Sequence, residues 1–110
     1  MIEKILLDYL SDALTLPVAL EVKPGDCVVL EKTGGSERDF LKRATVAIQS
    51  YGGSLFKAAE INERVIAAMR DIVALNEVSS AKLNATYNFT DTATKRFRYQ
   101  AVYDIVYFDD

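Results

Sequence analysis

The 110 residues fit one domain, large enough to bury roughly two thirds of the surface that its unfolded chain exposes. Half of them are hydrophobic and 26% are charged, the balance of a folded globular chain, and the formal charge of -3 argues against binding nucleic acid through counterion release. With no histidine and one cysteine, Cys27, an intrachain disulfide, the usual zinc sets and the Ser-His-Asp or Cys-His nucleophiles are excluded.

The opening MIEKILLDYLSDAL repeats Ile2, Ile5, Leu6, Tyr9, Leu10 and Ala13 at three- and four-residue spacing around acids, which predicts an amphipathic helix. Acids inside the apolar pattern are unlike a signal peptide, and no apolar run approaches the ~20 residues a bilayer span requires, so a cytoplasmic origin is expected. Pro17 stops the helix, and VALEVK alternates in the manner of a half-buried strand over residues 18–23. Pro24, Gly25 and Asp26 then signal a turn into CVVLEKT, so the first two strands are expected to pair as a hairpin ending at Gly34 and Gly35.

RATVAIQSY, residues 43–51, reads as a third strand. From Ser54, placed to cap, Leu55, Ala58, Ala59, Val65, Ile66, Met69, Ile72 and Val73 predict a long helix to about Leu75, roughly 33 Å at ~1.5 Å per residue. Ile66 and Met69 are the expected mid-helix core. Two strands close the chain: Ala81, Leu83, Ala85, Tyr87 and Phe89 alternate with polar residues, and Phe97, Tyr99, Ala101, Tyr103, Ile105 and Tyr107 define one face of the last. Thr90, Asp91 and Thr92 in TDTAT suit a turn of about five residues between them. The order α-β-β-β-α-β-β, without repeat or linker, predicts an α+β domain in which two helices cover one face of a mostly antiparallel sheet of about five strands.

LEKTGGSERDF, residues 30–40, has the ingredients of a phosphate loop in the wrong order. A Walker loop needs the lysine after the glycines and a helix N-terminus behind it, whereas Lys32 comes first and a strand follows. Gly34 and Gly35 are therefore expected in a strand connection, supplying positive φ. The following loop has two readings: Glu37, Arg38, Asp39 and Lys42 form a mixed-charge protein contact, or a solvated loop is pinned to its own core by Phe40 and Leu41.

Asp104, Asp109 and Asp110 are read as a charged end rather than a cation site, and Asn84 and Asn88 as strand faces rather than glycan acceptors. Cys27 is expected to pack as a small hydrophobe. The aromatic face of the last strand, with Arg96 and Arg98 nearby, has the composition of a base-stacking platform, but the helices need an apolar sheet face, so those rings are assigned to the core.

LEKTGGS, then ATVAIQSYGGSLFKAAEINE, then SSAKLNATYNFTDTATKRFRYQAVYDI resemble the tail terminator proteins, also called minor tail or tail completion proteins, of long-tailed phages and prophages of Gram-positive bacteria. The likeness runs from about Leu6 to Phe108 and is most specific from Tyr87 to Ile105. It implies a ring, commonly hexameric, that joins the growing end of the tail tube, stops its polymerisation and offers a surface to the head connector. The implied partners are further copies, the major tail tube protein and the connector proteins, in the host cytoplasm during assembly and then in the virion tail. No catalysis, cofactor, metal, membrane or specific nucleic acid is implied; the alternative is a small nucleic-acid-binding module using the aromatic sheet face.

The resemblance supplies no site residues, so the interface is assigned from charge and expected exposure. Thr90, Asp91, Thr92, Lys95 and Arg96 mark the tip of the last hairpin, whose strands of about nine residues span roughly 30 Å and reach beyond the helices. Glu37, Arg38 and Asp39 mark the other loop, and the two are expected to pair head to tail between neighbouring subunits.

Overall fold

The computed structural model describes residues 1–108. Helix α1 (Ile2–Ala13) is followed by strands β1 (Val18–Ala19), β2 (Cys27–Arg38) and β3 (Leu41–Gly52), helix α2 (Leu55–Arg70), a short 3₁₀ turn (Ile72–Ala74) and strands β4 (Val78–Asn88) and β5 (Phe97–Tyr107). The sheet runs β1-β2-β3-β5-β4, so the two long hairpins lie side by side with β3 and β5 at its centre. The α+β class and the expected element order are those observed.

Both helices lie on one face. Ile2, Leu6 and Leu10 of α1, and Ile61, Val65 and Met69 of α2, share one core with Val28, Leu30, Val46, Ile48, Tyr103, Ile105 and Tyr107 of the sheet. Ser54 caps α2 as expected, its hydroxyl accepting from the Lys57 amide at 3.1 Å. The helix ends at Arg70 rather than near Leu75, and its buried stripe is Ala58, Ile61, Asn62, Val65, Ile66 and Met69, whereas Leu55 and Val73 are exposed.

The first strand is shorter than expected and oppositely paired. β1 has two residues and lies parallel to β2, with Val18 opposite Val28 and Ala19 opposite Val29. Residues 20–26 form an open strap instead of a tight turn. Gly25 takes φ 77° there, and the carbonyls of Lys23 and Gly25 are held by Arg96 from the far end of the chain. Pro24 also lacks the N–H that a hairpin ladder requires.

Gly34 and Gly35 sit inside β2 rather than in a loop, and neither has positive φ. The ladder skips a residue between Lys32 and Gly34, a bulge, then continues to Arg38 opposite Leu41. The turn is only Asp39 and Phe40, with φ of 54° and 67°; two positive values are the mark of the tight hairpin turn whose twist matches its strands. Gly52 answers to a different constraint. A Cβ there would run into the Ala58 backbone nitrogen, so this glycine lets α2 start directly against β3.

β4 starts at Val78 and carries two irregularities, the second between Leu83 and Ala85. Ala81 and Leu83 pair with the core-facing Ile105 and Tyr103, but Ala85 and Tyr87 pair with Val102 and Gln100 of the opposite phase. The unbroken alternation expected from Ala81 to Phe89 thus crosses from one face to the other. The ladder closes at Asn88 opposite Tyr99, with a further bridge between Asp91 and Arg96.

Candidate interaction surface

The hairpin tips stand at opposite ends of a molecule 43 Å long. β3 begins beside Tyr107, at the end of β5, and finishes beside Phe97, at its start. Glu37, Arg38 and Asp39 are therefore gathered at one end, and Thr90, Asp91, Thr92, Lys95 and Arg96 at the other. The two predicted sets never meet within one subunit.

At the first tip, Glu37 and Lys42 form an ion pair across the last rungs at 3.7 Å. Arg38 and Asp39 are exposed, and Phe40 is 89% exposed. Phe40 thus does not pin this loop to its own core. A turn with two positive φ values directs the chain back on itself at the end of the sheet, and Leu41, the first residue of β3, is half-buried there.

The second tip is braced from within. The Asp91 carboxylate accepts from the amides of Ala93 at 3.0 Å and Thr94 at 3.3 Å, and the Asn88 amide oxygen accepts from the Thr90 amide and hydroxyl. The Thr94 side chain, followed by those amides, holds the Asp91 carboxyl below the usual carboxylate range. Arg96 donates to the carbonyls of Lys23 at 3.0 Å and Gly25 at 2.8 Å, and its guanidinium lies 4.8 Å from the Tyr51 ring centre. Arg98 stacks on Phe89 at 4.4 Å and donates to the Tyr51 hydroxyl at 3.0 Å. Arg96 therefore ties the strap over a small cluster of Cys27, Val29 and Tyr51 on the helix-free face. Thr92 and Lys95 are exposed.

That helix-free face carries a polar relay that sequence reasoning missed. Gln49 donates to Gln100 at 2.9 Å and Gln100 donates to the Tyr87 hydroxyl at 2.6 Å, linking β3, β5 and β4 through two glutamines each only 7% exposed. Gln49 and Gln100 stand at the polar phase of their strands, which was visible; that they face each other depends on register. Tyr103 and Tyr107 are buried beneath the helices, and burial pushes the Tyr103 phenol up to about 12 against the opposing pull of Arg70. The inner half of the aromatic face is core, as assigned, with Phe97 and Tyr99 at its margin. Cys27 is buried.

At the same end as the first tip, a cleft of about 680 Å³ opens between α1 and the segment entering β4. Ile5, Tyr9, Leu75 and Phe108 supply its apolar walls, and Asp8, Asp12 and Glu77 its acidic side chains. The Tyr9 hydroxyl donates to the Ala68 carbonyl at 2.6 Å, and burial, reinforced by Asp71, raises its phenol pKa. No cluster of three His, Cys, Asp or Glu suited to a metal occurs among the described residues, and Asp109 and Asp110 lie outside them. Among the described residues no helix is long and apolar enough to cross a membrane. The chain matches no protein-family model and no curated protein.

Proposed function

We propose that this protein is a structural subunit of the tail-terminator kind, a ring that caps the tail tube, stops its polymerisation and presents the head-joining surface. The observation that carries this reading is the chemistry of the two ends. One bears a phenyl ring exposed among charges of both signs, and the other a polar loop braced on itself. An end-capping ring needs unlike surfaces on each subunit, because it must meet the tube, the connector and its own copies through different contacts. The partners under this reading are the tube protein, the connector proteins and further copies of the chain, and its work is assembly rather than catalysis.

Deleting the gene from the prophage that carries it tests the proposal directly. Electron microscopy of induced lysates should show tails of uncontrolled length, unattached to filled heads. Normal joined virions from the deletion strain would overturn it.

A further inference from the structure

We propose that Phe40 of one copy seats in the cleft between α1 and the Leu75–Glu77 segment of the next copy, making this the lateral contact of the ring. This inference rests on the terminator reading and specifies its self-association.

Phe40 occupies the second position of a two-residue turn at φ 67°, where glycine or asparagine is the unstrained choice and a bulky side chain is a conformational outlier. The chain accepts that strain and also leaves the ring 89% in solvent, so nothing within its own subunit repays either cost. The cleft is the complementary feature. Its walls of Ile5, Tyr9, Leu75 and Phe108 are apolar, and the bond from Tyr9 to the Ala68 carbonyl holds one wall in place.

Charge selects the same occupant. Arg38 precedes the turn and Arg43, opposite Ser36, stands two rungs further along the ladder, so two guanidinium groups lie at this end of the hairpin. The cleft carries Asp12 and Glu77 beside Asp8, the last already paired with Lys4 at 2.8 Å. Glu37 is paired with Lys42 and Asp39 stands beside Arg38, so Arg43 leaves this mixed-charge tip with one net positive charge, which an apolar cleft with a net acidic rim complements.

Placement gives the contact its direction. Tip and cleft lie at one end of the sheet but are different patches, the tip projecting from β2 and β3 and the cleft lying on the helix-covered face between α1 and the segment entering β4. Two different patches make a heterologous contact, which adds copies head to tail at a constant level and closes when the rotation allows.

The test combines cross-linking with complementation of the deletion strain. Asp39→Cys with Glu77→Cys brackets the contact while keeping Phe40, and native Cys27 is buried. Oxidised virions carrying this pair should give a ladder of covalent oligomers extending beyond the dimer, and each single substitution should not. Phe40→Gly supplies the residue the turn prefers, so the fold should persist with an undiminished melting temperature while yield of joined virions falls at least about tenfold, the loss expected for a central aromatic contact. A deletion strain that already makes normal virions overturns the terminator reading and this contact together. A defective deletion strain fully restored by Phe40→Gly, or a ladder that stops at the dimer, overturns the contact alone, the first placing Phe40 outside any needed interface and the second indicating symmetric pairing of tips.

Discussion

The two hairpins share length, pairing and a place at the centre of one sheet, yet their tips solve opposite problems. The β4–β5 tip consumes its own polar groups: Asp91 and Asn88 bond the loop backbone, and Arg96 reaches across to hold the strap over Tyr51. The β2–β3 tip is two residues long and turns its largest apolar group outward. A loop that satisfies itself is suited to holding a shape, whereas a strained turn displaying a bare ring is suited to being held. Charge and strand length, by which the two tips are equivalent, do not distinguish these cases. The hydrogen-bond partners do.

The largest effect should come from the shared platform beneath both hairpins. Met69 is buried between α2 and the sheet, and Met69→Ala should destabilise the domain by about 2–5 kcal/mol, with both tips losing order together. Denaturant unfolding of the variant, followed by amide exchange at each tip, checks this; a change confined to one hairpin would show that they are not mounted on a common core.

A smaller and more discriminating effect separates two arginines of similar sequence context. Arg96→Ala removes two bonds to carbonyls and a ring contact, so a loss of about 1–2 kcal/mol is expected. Arg38→Ala touches only the exposed tip and should stay within about 0.5 kcal/mol. Thermal melts of the pair measure the difference, and equal losses would erase the contrast between a braced tip and a presented one.

The smallest effect is local and depends on pH. The Asp91 carboxyl has a folded pKa below its ordinary 3.8, so the ionised form is favoured by folding. Its contribution is complete above 3.8 and is lost as pH falls through the lowered folded value, where protonation removes the acceptor for the Ala93 and Thr94 amides. The amide resonances of Ala93 and Thr94 should move in acid below that point while the β2–β3 turn stays unchanged, and Asp91→Asn should abolish the transition.

The sequence alone determined the element types and their order, because these rest on periodicity and on local chemistry. The stripe of Ile2, Leu6 and Leu10, the Ser54 cap and the alternation from Phe97 to Tyr107 each act over a few residues and are written directly in the chain. Pairing, register and exposure were decided only in the tertiary structure. Glycines at 34 and 35 look like a turn until the β2 ladder is seen to run through them with a bulge, and the strap at 20–26 looks like a hairpin turn until Arg96 is seen to hold it open from some seventy positions along the chain. Phe40 and Leu41 are apolar neighbours in sequence with equal claim to the core. A one-residue step at a tight turn left Leu41 half-buried in the first rung of β3 and Phe40 in solvent, because successive side chains there point apart and only register decides which of them lies against the sheet.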